Sequence, residues 1–188
     1  MILVALSGKK QSGKGTAADA LKKLFETSKG YSVQIISFAD PLRQMIVDYF
    51  CKPLGINITV DDLKQESVKE SKHPCGMTYR QLLEQLGTDR MRSLWDDIWI
   101  MNTMFKCKNP DYDVTIIDDM RFPNEVKAVV EDGGTTIRLT RKSTNDSDHI
   151  SNTILDDYTS WDCVVPNQGC TKEQLEDQIR ALFNALFL

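Results

Sequence analysis

The chain has 188 residues, enough for one domain whose core closes without disulfides or a structural metal. Its 41% hydrophobic and 27% charged content is that of a globular protein and excludes wholesale disorder, a collagen-like repeat and a coiled-coil rod. A net charge of -4, from 23 basic and 27 acidic residues, argues against a nucleic acid polymer bound across the whole surface.

No apolar run reaches the roughly 18 residues of a membrane span, and residues 1–6 lack a basic leader segment. The five cysteines (Cys51, Cys75, Cys107, Cys163, Cys170) are odd in number and form no Cys-x-x-Cys pair. A soluble, unprocessed, cytoplasmic protein with reduced thiols is expected. Cys51, His73 and Cys75 lack a second ligand pair, which weighs against zinc.

Residues 2–6 are a continuous apolar run that stops at Ser7-Gly8, the pattern of a strand buried on both faces of a parallel sheet. Ala17, Ala18, Leu21, Leu24 and Phe25 then recur at helical spacing, predicting a helix over residues 14–26 that ends before Gly30. Residues 33–38 predict a second strand. Asp40-Pro41 reads as an N-cap followed by proline, with Leu42, Met45, Ile46, Tyr49 and Phe50 on one helical face. Over residues 52–77 the periodicity weakens, and Pro53, Gly55, Pro74 and Gly76 punctuate a charged stretch that reads as a lobe at the rim.

Thr78 caps a helix carrying Leu82, Leu83 and Leu86, which Gly87 interrupts or ends. The stripe Met91, Leu94, Trp95, Ile98, Met101 and Met104 follows and reads as core packing. Residues 114–117 predict a third strand ending at Asp118-Asp119, residues 124–131 a helix, residues 136–139 a fourth strand and residues 163–165 a fifth. Residues 171–188 predict a terminal amphipathic helix with a Thr-x-x-Gln capping box. This alternation implies a doubly wound, three-layer α/β/α domain with a parallel sheet of about five strands.

Gly8-Lys9-Lys10-Gln11-Ser12-Gly13-Lys14-Gly15-Thr16 is a Gly-x-x-x-x-Gly-Lys-Gly-Thr loop between a buried strand and an amphipathic helix, the context a phosphate-binding loop requires. Its glycines let backbone N–H groups wrap phosphates, the helix N-terminus adds positive potential, and the lysine bridges phosphate oxygens. Gly15 stands where the general motif has Ser or Thr, so Thr16 must supply the hydroxyl for Mg2+. In this the loop resembles that of adenylate kinase and its relatives.

A second signal, Ile116-Ile117-Asp118-Asp119-Met120-Arg121, puts carboxylates at the carboxyl end of a buried strand, where ligands bind in open α/β sheets. Asp118 would orient Mg2+ with Asp119 beside it, and Arg121 would reach a phosphate; a capping Asp in a strand-to-helix turn is the plainer alternative. No Glu follows Asp118 to activate water, and no Asn-Lys-x-Asp guanine motif occurs.

Phosphoryl transfer depends on cations around the moving group. Arg138, Arg141 and Lys142 precede the polar residues 143–149, where a lid is expected, and Arg43, Arg80 and Arg121 lie near predicted element ends. Arg121 and Arg141 are the strongest single candidates, although a solvated surface arginine is the default for each. Phe38 and Tyr79 could stack an acceptor base or belong to the core. His149 reads as a loop-ordering or ligand hydrogen-bonding residue.

With these residues in hand, the chain resembles the deoxynucleoside monophosphate kinases of bacteriophages, within the P-loop nucleoside monophosphate kinase superfamily. The likeness lies in Leu6-Ser7-Gly8 with Lys10, Ser12-Gly13-Lys14, Thr16 and Ala18-Asp19, and in Arg80, Leu82 and Leu86-Gly87-Thr88-Asp89. It continues in Asp119-x-Arg121 with Glu125, in Gly134-Thr135-Thr136-Ile137, in residues 143–150, and in Asn167-Gln168-Gly169 before Leu175.

The resemblance implies one P-loop kinase domain over residues 1–188, with a helical acceptor-binding lobe at 52–92 and a short lid at 141–155. ATP with Mg2+ would be the donor, a deoxynucleoside monophosphate the acceptor and the diphosphate the product. Gly8, Lys10, Ser12, Gly13, Lys14, Gly15 and Thr16 fall to ATP, with Asn167 near the adenine. Asp40, Arg43, Arg80 and Arg121 fall to the monophosphate, Lys14, Arg121 and Arg141 to catalysis, and Thr16 and Asp118 to Mg2+. The implied partners are these small molecules, with no membrane and no nucleic acid polymer, and a homodimer is an assembly left open. Two alternatives stay open: a P-loop kinase of another small phosphorylated metabolite, such as phosphomevalonate, and a nucleotide-binding regulator that turns nothing over.

Overall fold

The computed structural model describes residues 1–141 and 153–188. Among them, β1 (Ile2–Ser7), β2 (Val33–Ile36), β3 (Val114–Met120), β4 (Thr135–Thr140) and β5 (Cys163–Pro166) form one parallel sheet in the order β2-β3-β1-β4-β5. The helices in chain order are α1 (Lys14–Lys29), α2 (Asp40–Ile46), α3 (Glu66–Glu70), α4 (Tyr79–Glu84), α5 (Arg92–Leu94), α6 (Ile98–Cys107), α7 (Pro123–Glu131) and α8 (Lys172–Phe187). None of them is long and apolar enough to cross a membrane.

The apolar run at the start of the chain is explained by its place. β1 is the central strand, paired on one side with β3 (Val4 with Ile116) and on the other with β4 (Ser7 with Arg138). Leu3, Val4, Ala5 and Leu6 are therefore buried. Ala17, Ala18, Leu21 and Phe25 of α1 and Leu175, Ile179 and Phe183 of α8 join Val4, Leu6, Ile116, Ile137, Leu139 and Val165 in one core. Phe25 and Phe183 meet edge to face with ring centroids 4.9 Å apart. Burial contributes about 1.5–3 kcal/mol for each large side chain in such a core. Gly30, at φ 67, ends α1 in the left-handed conformation that glycine adopts most readily.

The chain divides into two compact units, Met1–Ser37 with Met104–Leu188, and Phe38–Thr103. The second unit contains the 52–92 segment and has its own core of Leu42, Ile46, Val47, Cys51, Leu63, Tyr79, Leu82 and Trp99. In it, α2 runs on into a π turn at Val47–Cys51, and α4 into another at Gln85–Met91. Gly87 lies in the latter because a Cβ there would come within 2.5 Å of Leu42 Cδ2.

Several local expectations shift. Asp40 is the first helical residue and Ala39 precedes it as the cap, so the carboxylate faces the first turn from within. The π turn after α2 rotates the helical face, which leaves Tyr49 exposed although Leu42 and Ile46 are buried. Asp118 and Asp119 belong to β3 itself because that strand pairs with β1 beyond the apolar run, as far as Met120. The Met and Trp stripe does not form one core face. The chain turns extended at Trp95, so Trp99 and Ile100 are buried while Leu94, Trp95 and Met101 are exposed.

Candidate active site

The loop at residues 8–13 leaves the carboxyl end of β1 and enters α1 through backbone conformations that favour glycine: φ is 153 at Gly8 and 97 at Gly13. A Cβ on Gly13 would lie 2.6 Å from Asn167 Nδ2 and 2.7 Å from Leu175 Cδ2; one on Gly8 would lie 2.7 Å from the Leu139 carbonyl oxygen. Gly15 has open space around it. The protein's own packing therefore requires the first two glycines and makes no demand at the third.

Lys14 opens α1 and turns back over the loop, where Nζ donates to the carbonyls of Gly8 at 2.6 Å and Lys9 at 2.8 Å. Burial, and after it the Arg121 charge, lower its pKa to about 7; Asp119 and Asp118 oppose the shift and Arg138 adds to it. An ammonium crowded by guanidinium groups gains from an anion placed among them. The strand-end carboxylates complete this edge. Asp118 accepts from Ser37 Oγ at 2.6 Å, and Asp119 follows it, both half-buried. Thr16 lies half-buried in the first turn of α1. The Thr16 hydroxyl and the Asp118 carboxylate are hard oxygen donors of the kind Mg2+ takes.

Arg121 is held by its backbone. The Glu125 carboxylate, 2% exposed, accepts from Arg121 N at 2.6 Å and Phe122 N at 3.0 Å, fixing the turn from β3 into α7. The Asp-x-Arg-x-x-x-Glu pattern thus combines a cation with the cap that places its backbone. Arg141 reaches the loop and donates to the Gln11 carbonyl at 3.3 Å. Lys142, His149 and residues 143–150, with most of the 141–155 lid segment, lie outside the described residues.

Asn167 sits beneath the loop. Its Nδ2 donates to the Ser12 carbonyl at 2.9 Å and its backbone N–H to the Thr140 carbonyl at 2.8 Å, so its buried amide splints the phosphate loop onto the end of β4. Asn167 Oδ1 and Ser12 Oγ are buried with no hydrogen-bond partner. The contact with Ser12 gives Asn167 a loop-supporting part beside the adenine-side role that the resemblance implies.

Arg43 and Arg80 lie in the second unit. Arg43 NH1 meets Asp40 Oδ1 at 2.7 Å, and Lys64 Nζ stands 3.6 Å from the same oxygen. Arg80 donates through Nε to Glu70 and through NH2 to Glu66, each at 2.6 Å. Lys69 joins them: burial above all lowers its pKa, Glu66 opposes this, and the charges of Arg43 and Arg80 push the same way as burial. Lys69 lies in a charged run with no motif of its own, and the fold makes it share Glu66 with Arg80. Phe38 and Tyr79 are both buried, and the Tyr79 ring belongs to the second unit's core.

A family model described as deoxynucleotide monophosphate kinase matches residues 53–179. A protein of Acanthamoeba polyphaga mimivirus, named as a deoxynucleotide monophosphate kinase, is 31% identical over 98% of this chain and 98% of its own length. Among solved structures, shikimate kinase from Bacteroides thetaiotaomicron matches with a TM-score of 0.55 at 14% identity, covering 100% of this chain and 99% of its own. That likeness shows the P-loop kinase fold, in agreement with the parallel sheet and the loop after β1. On the breadth of the two sequence matches, the chain belongs to the deoxynucleotide monophosphate kinase family and is a kinase.

Proposed function

We propose that this kinase transfers the γ-phosphoryl group of ATP, bound with Mg2+, directly and in line to a deoxynucleoside monophosphate, giving the diphosphate. The observation that carries this reading is Lys14, folded back over the carbonyls of Gly8 and Lys9 with its pKa lowered to about 7 by burial and Arg121. Phosphate oxygens entering the loop would favour the charged form of Lys14 and take over its hydrogen bonds.

The backbone of Gly8, Lys10, Ser12, Gly13, Gly15 and Thr16 would wrap the donor phosphates, with Asn167 supporting Ser12 from below. Thr16 and Asp118 would hold Mg2+, whose charge, when bound, screens the phosphate oxygens. Lys14, Arg121 and Arg141 would stabilise charge on the moving group. Asp40, Arg43 and Arg80 would receive the acceptor, with Asp40 aiming Arg43 through the 2.7 Å ion pair. Residues 52–92 are the proposed acceptor lobe and 141–155 the proposed lid. Sedimentation under reducing conditions, which suit five free thiols, tests the homodimer.

The deciding experiment is ADP formation from Mg-ATP with each common NMP and dNMP in turn. Strong stimulation by one or a few dNMPs, abolished by EDTA, is expected. Lys14→Ala should fold normally and lose on the order of 10^3 in turnover. Absence of stimulation by every monophosphate would overturn the reading.

A further inference from the structure

Arg138 takes no part in the roles given above, yet it is held from several sides at the phosphate edge of the sheet. The β4 register sets it opposite Ser7, the last residue before the loop, and NH1 donates to Ser7 Oγ at 2.9 Å. NH2 donates to Asp156 Oδ1 at 3.1 Å, and the guanidinium carbon lies 5.5 Å from the centroid of the Trp161 ring. Trp161 is itself fixed: its indole N–H donates to the Tyr158 carbonyl at 2.8 Å, and the two rings meet edge to face. The other oxygen of Asp156 pairs with Lys9 of the phosphate loop at 3.0 Å. One carboxylate therefore joins the shoulder of the loop to the arginine of the neighbouring strand.

We infer that Arg138 is a third cation of the phosphoryl site, beside Lys14 and Arg121, and that Asp156 is the residue that positions it. An arginine left to solvent keeps its rotamer freedom, whereas this one is fixed on three sides. Its neighbours show where its charge acts. After burial, and against Asp156, the Arg121 charge lowers the pKa of Arg138. Three like charges grouped around one loop oppose each other until an anion lies among them. Arg138 also lines, with Lys9 and Arg141, a cleft of about 420 Å³. Asp156 supplies a charge that keeps Lys9 and Arg138 in place before the phosphate arrives.

The inference rests on reading the loop as a phosphoryl-transfer site, so it needs a probe that does not depend on the acceptor. Inorganic tripolyphosphate serves, with its binding to the full-length protein followed by calorimetry alongside dNMP turnover and the thermal midpoint. Arg138→Gln should weaken tripolyphosphate binding by about tenfold or more and lower kcat by about 10^2, with the thermal midpoint nearly unchanged. Arg138→Lys keeps the charge without the fork; it should recover most of the binding and less of kcat, and it carries the test should Arg138→Gln fail to fold. Asp156→Asn should lower kcat by about fivefold or more with a smaller change in donor KM, the mark of lost aim rather than lost charge. A purely structural tie predicts the reverse, a lower thermal midpoint with tripolyphosphate affinity and kcat within about twofold of wild type, and that outcome overturns the proposal. If no dNMP stimulates the wild-type protein, the kinase reading falls on its own, and the tripolyphosphate arm still decides Arg138: weaker binding upholds it and unchanged binding removes it.

Discussion

Gly13 and Gly15 flank the same lysine and differ in what holds them. Gly13 has a left-handed φ and lies against Asn167 and Leu175, so Gly13→Ala must displace either the loop or the residues beneath it. Gly15 sits in open space inside the first turn of α1, and Gly15→Ala removes a glycine penalty of up to about 1 kcal/mol. Thermal unfolding should show Gly15→Ala as stable as wild type or more so and Gly13→Ala clearly less stable. Equal losses in both would mean that Gly15 answers to a packing constraint absent from this structure. If the free space at Gly15 belongs to the donor, Gly15→Ala should still raise the KM for ATP despite its stability. A sequence reader sees the same glycine motif at both positions. The difference comes from Asn167 and Leu175, which lie more than a hundred residues away in the chain.

At the level of elements, the Leu-Gly-Thr-Asp segment is where a helix boundary was expected and a π turn is found. The turn carries the chain past Gly87 without a break, brings it against Leu42 and leaves its carbonyl to accept from Trp99 Nε1 at 2.9 Å. Gly87→Ala overpacks this contact and should destabilise the protein by about 1–3 kcal/mol in denaturant titrations, the range for an added methyl in a tight core. A smaller effect would mean that the Leu42 side chain swings aside freely.

Two buried acids set a limit on the alkaline side. Burial, helped by Asp132, pushes the Cys107 thiol at the end of α6 up to about 12; burial and the hydrogen bond with Cys51 push the Tyr79 phenol in α4 up to about 12. In the unfolded chain these groups lose their protons near about 8.5 and 10, so the folded state holds protons that the unfolded one has released. Their contribution to stability is complete below those values and is lost as pH rises towards 12. Cys107→Ala should flatten the fall of the thermal midpoint between pH 9 and 12 (about the window set by these values), and an unchanged slope would remove Cys107 from the account.

For the whole molecule, the cations proposed for the donor and those proposed for the acceptor belong to separate compact units. Arg80→Ala should therefore raise the acceptor KM by about tenfold to a hundredfold, the value of one charged hydrogen bond, and leave Mg-ATP affinity in direct binding unchanged. Lys14→Ala should do the opposite. Because Arg80 also bridges Glu66 and Glu70, a fall in thermal midpoint with an unchanged acceptor KM would assign it to holding α3 and α4 together instead.

The sequence by itself determined the features written in consecutive residues: the phosphate loop between a buried strand and an amphipathic helix, the strand-end Asp118-Asp119-x-Arg121, the alternating elements of the α/β/α layers and the Thr171 cap of α8. Each is a local pattern, because strand burial, helix amphipathicity and glycine conformation act over a few neighbouring positions. Only the tertiary structure decided that Asn167 supports Ser12 across 155 positions, that Arg138 meets Ser7 across 131, and that Asp156 joins Arg138 to Lys9. Those pairings follow from the order and register of parallel strands whose crossovers carry the chain away and back. No spacing along the chain encodes them, since the sheet sets its partners through packing between distant segments.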